Sequence, residues 1–325
     1  MPSIRRRRGW EIPEREVTPE HAFLNRRQIL KALGFTGVAL AGGLRPPAGR
    51  AAPAGITGAQ EKPPAADLYP AKRNPKFNSN LPVTDEKAVA TYNNFYEFDD
   101  SKDIYPLVEK FKPNPWTIEV AGLVEKPRTY DVEEVLRNIG LEERVYRFRC
   151  VEAWSFVAPW TGIPLASFLK MVKPLSSAKY VRFTTFMRPD QAPGQKPSFF
   201  SRLPWPYTEG LTMAEANNEL PMLVTGMYGH PVWKQNGAPI RLIAPWKYGY
   251  KNIKSVVKME LIAEQPKTFW NTLAPHEYDF QSNVNPNVPH PRWSQATERV
   301  IPSGERKPTL LYNGYAEYVA HLYKS

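Results

Sequence analysis

Residues 145–152 read VYRFRCVE. From Arg144 to Cys150 the chain alternates, with Tyr146, Phe148 and Cys150 on one face of an extended segment and Arg147 and Arg149 on the other. This is a strand that gives way at VEAW, and Cys150, the only cysteine in 325 residues, stands at its end. A lone cysteine is ordinarily a small buried hydrophobe. At an element terminus, however, it is placed to reach the rim of a site, and the flanking arginines favour a thiolate.

Outward from this strand the same two periods recur. Residues 116–124 (WTIEVAGLV) and 179–186 (KYVRFTTF) are strand-like, the second with Val181, Phe183 and Thr185 on one side. Val132, Val135, Leu136 and Ile139 share a helical face behind a cap formed by Asp131 with Glu134. Leu165, Phe168, Leu169 and Val172 share another over 165–172, and Thr212 with Glu215 caps a helix reaching Leu220. Asn236-Gly237 marks a tight turn before PIRLIAPW, and 252–261 (NIKSVVKMEL) alternates as a strand. The 34 prolines argue for ordered loops and sheet edges over long helices. The fold class is α+β: one β-rich mixed domain with short helices, over 81–325.

The net charge of +11 invites a nucleic-acid reading, but residues 1–50 carry +6 of it (ten Lys/Arg, four Asp/Glu) and the remainder only +5. No arginine-rich tract or nucleic-acid motif accompanies it, so nucleic acid is not an expected partner. In NRRQILK (25–31) the pair Arg26-Arg27 precedes a mildly apolar stretch, Ile29 to Leu44, with a small-residue exit. This is the order of a twin-arginine export signal, occupying 1–50 with cleavage near 45–55. It implies passage through the twin-arginine export machinery to the periplasm, and such export favours a cofactor inserted before translocation. Residues 51–80, rich in Pro, Ala, Gly, Lys and Asn, read as a tether or surface strap.

One cysteine excludes an internal disulfide framework, an ordinary cysteine-ligated iron–sulfur cluster and a C-x-x-C-H haem attachment. The five histidines (His21, His230, His276, His290, His321) form no H-x-x-H or H-E-x-x-H spacing, and there is no G-x-S-x-G elbow. Cys150 is thus the one soft ligand available to a redox metal that brings its other ligands along. Two further stretches draw notice. In 236–254, Arg241, Lys247, Lys251 and Lys254 supply charge and Asn236 and Asn252 supply donors; they suit a phosphate-bearing ligand or a solvated basic face. YNNFYEF (92–98) suits a pocket wall against a heterocycle, or a loop packed by its own aromatics.

Together YNNFYEF, YRFRCVEAW, QNGAPIRLIAPWKYGYKNIKS, HPRWSQATER and PTLLYNGYAEYVA resemble the catalytic subunits of periplasmic protein-methionine-sulfoxide reductases. That family comprises molybdopterin enzymes of the sulfite-oxidase (oxidoreductase molybdopterin-binding) fold. The resemblance implies Cys150 as the protein ligand of molybdenum and as the catalytic residue. It implies Asn93, Tyr96, Glu97, Thr185, Asn236, Arg241, Asn252, Ile253 and Lys254 as contacts of one mononucleotide-free molybdopterin per chain. It also implies a monomeric catalytic subunit that reduces methionine sulfoxide in oxidised periplasmic proteins. Electrons would come from the respiratory chain through a membrane haem-bearing, MsrQ-like subunit. The rivals are a sulfite-oxidase-like or other S- or N-oxide molybdoenzyme, and a non-enzymatic exported binding protein with an inert Cys150.

Overall fold

In the computed structural model, which describes residues 58–197 and 203–323, the strand that ends before Cys150 is one arm of a hairpin. The strands in chain order are β1 (Arg73–Asn78), β2 (Thr117–Gly122), β3 (Arg128–Asp131), β4 (Glu142–Arg149), β5 (Trp154–Pro164), β6 (Tyr180–Thr185), β7 (Thr208–Thr212), β8 (Met222–Met227), β9 (His230–Pro231), β10 (Arg241–Ile243), β11 (Val256–Ile262), β12 (Thr297–Val300) and β13 (Arg306–Pro308). They form two mixed sheets, with short helices between them. All described residues fall within one contiguous unit, Pro53–Ser325. The twin-arginine segment lies outside the described residues. Within the stretch read as a strap, residues 73–78 form β1, which pairs in parallel with β4.

The larger sheet is organised by β5. From Ser155 to Gly162 it pairs with β4, Glu142 lying opposite Gly162 and Arg149 opposite Ser155. Its other edge is divided: Trp154 and Ser155 run beside β12, whereas Trp160 to Pro164 run beside β8. This 11-residue strand, flanked on both edges, is almost wholly buried. The alternation that the sequence suggested for β4 is only partly kept. Tyr146 is buried as expected, but Phe148 is half-buried and Arg149 is fully buried.

The smaller sheet runs β3-β2-β11-β6-β7 and packs its apolar face on the two amphipathic helices. Val181, Phe183 and Thr185 of β6 are buried in alternation. Helix Leu165–Val172 buries the four residues predicted to share a face, and helix Val132–Ile139 buries Val132, Val135 and Leu136. Asp131 caps the latter through the Glu133 and Glu134 amides at 2.8 and 3.2 Å, while the Glu134 carboxylate turns to Arg128. The Thr212–Glu215 capping box forms, but its helix stops at Ala216 rather than reaching Leu220. Asn236-Gly237 closes a 3-10 turn, with Gly237 at φ 103°, a value that a side chain would strain.

Leu169, 1% exposed, sits in the core between helix and sheet. Leu169→Ala is expected to remove about 2–5 kcal/mol of stability, read by urea unfolding of the cofactor-free chain.

Candidate molybdopterin site

The chain reverses between β4 and β5 in four residues, Cys150 to Ala153. Cys150 donates its amide to the Trp154 carbonyl at 2.9 Å, and Ala153 closes the turn onto the Cys150 carbonyl at 3.0 Å. Cys150 therefore stands at the tip of a hairpin, 5% exposed. The segment 248–250 crosses directly over it. A Cβ on Gly249 would lie 2.5 Å from the Phe148 ring and 3.5 Å from the Cys150 Cα, so only glycine permits this crossing.

Three distant stretches meet beside this tip. Asn236 donates to the Asn93 side chain at 3.0 Å, and Asn93 in turn donates to the Ala90 carbonyl at 2.9 Å. Leu242 donates its amide to the Ile253 carbonyl at 2.9 Å, tying β10 to the 252–254 triplet. Lys254 donates to the carbonyls of Asn94 and Gln235 at 2.9 and 3.0 Å, and its ammonium lies over the Phe95 ring. The β6–β11 register sets Thr185 opposite Val256, and the Thr185 hydroxyl donates to the Lys254 carbonyl at 2.8 Å. Asn93, Glu97, Thr185, Asn236, Arg241, Asn252, Ile253 and Lys254 thus form one connected cluster. The Tyr96 ring lies at its edge, 5.1 Å from Trp270. The Asn252 side chain has a structural task of its own, accepting the Ala244 amide at 2.6 Å.

The electrostatics of this cluster are unbalanced. Arg241 is 2% exposed and donates only to the Asn236 and Asn252 carbonyls, at 2.6 and 3.2 Å. Among the described residues it has no carboxylate partner, and its Nε and the Asn236 Oδ1 are buried without hydrogen bonds. Desolvation alone pulls its guanidinium down to about 9. Burial, then repulsion from Arg241, holds the Lys254 ammonium well below its ordinary value. Burial raises the Glu97 carboxyl to about 7 against the opposing pull of its backbone hydrogen bond, Lys254 and Thr185. Two buried cations facing one carboxyl whose charge burial disfavours leave an excess of positive charge, an anion cradle in which a phosphate-bearing pterin would supply the missing charge. The residues fit the group.

Not every basic residue of 236–254 takes part. Lys247 is spent on Glu215 at 2.5 Å and Lys251 on Glu209 at 2.7 Å, both pairs buried. The expected thiolate-promoting role of the flanking arginines is also corrected. Arg147 and Arg149 reach Glu298 at 2.7 and 3.1 Å. Burial, and then the charge of Glu152, pushes the Cys150 thiol up to about 12, with Lys102 and Arg149 pulling weakly the other way. A thiol so placed is unreactive until a metal displaces its proton.

Four residues missed by sequence reasoning surround the sulfur. Asn94 Nδ2 lies 3.6 Å from Cys150 Sγ and donates to Glu152 Oε2 at 3.1 Å. That same oxygen accepts Trp154 Nε1 at 3.0 Å and pairs with Lys102 at 2.5 Å. Burial pushes the Glu152 carboxyl up, but Lys102 and the hydrogen bonds outweigh it and leave the group ionised below its ordinary range. Asn94, Glu152 and Trp154 lie inside the motifs already quoted, and Glu152 is two residues past Cys150. Only the tight turn, which folds the chain back on itself, brings it to the sulfur.

Residues 105–270 match the family described as "Oxidoreductase molybdopterin binding domain", and the chain belongs to that family. It is 48% identical, over 97% of its length and 94% of the relative's, to the "Protein-methionine-sulfoxide reductase catalytic subunit MsrP" of Burkholderia mallei. Against the crystal structure of the sulfane dehydrogenase SoxCD from Paracoccus pantotrophus the TM-score is 0.44 at 14% identity. That superposition covers 79% of this chain and 58% of the other, a likeness too low to bear on activity.

Because the folded value of Glu97 lies above the unfolded one, the folded chain keeps its proton longer. The stability of the cofactor-free chain should therefore fall as pH rises from about 4.5 through about 7. Glu97→Gln is expected to remove this slope, a change of up to ~3 kcal/mol across the window, measured by urea unfolding at successive pH values.

Proposed function

We propose that this chain is an exported reductase of methionine sulfoxide, free and within oxidised proteins, built on one mononucleotide-free molybdopterin held by Cys150 and the cluster around Arg241. The observation that carries the substrate class is the Glu152–Lys102 pair beside the sulfur. It presents a carboxylate and an ammonium of cancelling charge, hydrogen-bonded to Asn94 and Trp154. An anionic substrate such as sulfite meets a carboxylate there, whereas a neutral sulfoxide meets a polar donor set. Half-buried Tyr92, Tyr96 and Trp270 offer the aromatic surface that a thioether accepts.

Each residue set has a separate task. Asn93, Asn236, Arg241 and Lys254 neutralise and orient the pterin. Thr185, Asn252 and Ile253 hold the segments from which those side chains project. Asn94 and Lys102 keep Glu152 ionised and fixed beside the Cys150 sulfur. When bound, the reduced molybdenum centre would supply the two electrons, and the acceptor for the oxygen atom, that turn a sulfoxide into a thioether. In net terms a sulfoxide, two electrons and two protons give a thioether and one water. Among the described residues no second redox cofactor motif is present, so the electrons come from a partner, a membrane haem-bearing subunit of MsrQ-like type. The twin-arginine pair Arg26-Arg27 supports export to the periplasm, where oxidised proteins are the substrates.

The test uses the molybdenum-loaded chain with reduced viologen as electron donor for the sulfoxide assay and ferricyanide as electron acceptor for the sulfite assay. The wild-type protein is expected to reduce methionine sulfoxide in an oxidised protein and to leave sulfite unchanged. Cys150→Ser is expected to abolish the reduction. Turnover of sulfite without turnover of sulfoxide would favour the sulfite-oxidase-like alternative, and full activity of Cys150→Ser would remove the metal-ligand role.

A further inference from the structure

Behind the hairpin tip lies a second buried charge cluster that the reaction as described does not use. Arg149 is fully buried at the end of β4. Its Nη1 donates to the carbonyl of Cys150, its Nε to Glu298 Oε2 at 3.1 Å, and its Nη2 to Gln295 Oε1 at 2.8 Å and Thr309 Oγ1 at 3.1 Å. Glu298, 1% exposed, is shared: its other oxygen accepts Arg147 Nη2 at 2.7 Å. The remaining Arg147 side-chain contact is the neutral Asn313 Oδ1 at 3.1 Å. Two guanidinium groups thus share one carboxylate, and among the described residues every other side-chain hydrogen-bond partner is neutral.

The same region grips the turn itself. Trp293 Nε1 and Gln295 Nε2 both donate to the Val151 carbonyl at 2.7 Å, and the Arg299 amide donates to the Ala153 carbonyl at 2.8 Å. Three of the four turn carbonyls, those of Cys150, Val151 and Ala153, are therefore fixed from residues 293–299 and from Arg149. A single arginine–glutamate pair would satisfy these hydrogen bonds with no excess charge. The second arginine leaves one positive charge unneutralised in a place with little water, which is unfavourable for folding by itself.

We propose that Arg147, Glu298 and Arg149 form a positioning element that fixes the Cys150 ligand and holds one net positive charge behind it, raising the reduction potential of the bound metal. The inference rests on the reading of Cys150 as the metal ligand. Positive charge near a redox centre favours its more electron-rich state, and low local dielectric lets that influence reach the ligand. Arg149 acts through the Cys150 main chain and makes no contact with substrate.

Two substitutions that leave the Arg149–Cys150 bond in place separate charge from architecture. Glu298→Gln keeps the shape of the carboxylate but raises the cluster from one net charge to two. Arg147→Gln lowers it from one to zero. Redox titration of the molybdenum EPR signal in the loaded protein is the readout, with metal content measured alongside. The expected result is opposite shifts: the midpoint rises in E298Q and falls in R147Q, the latter by less because Arg147 is 15% exposed at its side chain and partly screened. Shifts of the same sign, or no shift in either variant with metal retained, would overturn the charge role. Should E298Q not accumulate because its buried cations repel, a fall in R147Q still supports the proposal and an unchanged midpoint still overturns it. A wild-type protein with no molybdenum signal would defeat the underlying ligand reading together with this inference, and is thereby distinguished from failure of the charge role alone.

Discussion

The four-residue reversal between β4 and β5 constrains everything around it. Two backbone hydrogen bonds, Cys150 N to Trp154 O and Ala153 N to Cys150 O, fix the direction of the sulfur before any side chain is considered. The turn also returns Glu152 and Trp154 to the same side as Cys150, so one short reversal supplies a soft ligand, an ionised carboxylate and an indole donor together. Gly249 then lets the 248–250 segment cross at a separation that no other residue would tolerate. With the hairpin moved by one residue, the alternation of β4 would send the thiol to the opposite face.

Charge is distributed unevenly around this point, and the unevenness separates scaffold from site. Lys247 and Lys251 are buried with Glu215 and Glu209, cation against carboxylate. The hydrogen bonds of Arg241 and Lys254 go to backbone carbonyls, and buried cations so placed are costly without an anion. The chain therefore folds around an excess of positive charge at Arg241 and Lys254, whereas Glu152 and Lys102 cancel. Such an arrangement suits an anionic cofactor at the first pair and a neutral substrate beside the second.

Much of the scaffold was legible in the sequence because its periods are clean. The helix over 165–172 buries the residues its spacing named, and β6 buries Val181, Phe183 and Thr185 as its alternation required. β5 was not legible. WSFVAPWTGIP carries no alternation because both its edges and both its faces are covered, and its proline and glycine resemble turn signals. At the site, the residues that the resemblance named as cofactor contacts are gathered by the fold into one cluster, with Tyr96 at its edge. Asn94, Lys102 and Glu152 were not legible, since their proximity arises from a turn and from a contact eight residues along a loop, neither of which leaves a periodic mark. Arg147 and Arg149 were seen as one face of a strand, but their shared partner Glu298 lies about 150 residues away, and sequence offers no measure of such a pairing.

The central claim is that Cys150 binds molybdenum, and X-ray absorption at the molybdenum edge tests it most directly. The wild-type protein should show one more sulfur neighbour per molybdenum than the dithiolene provides, and Cys150→Ser should lose that sulfur while any metal it retains keeps the dithiolene pair. An identical sulfur count in both proteins would contradict the account.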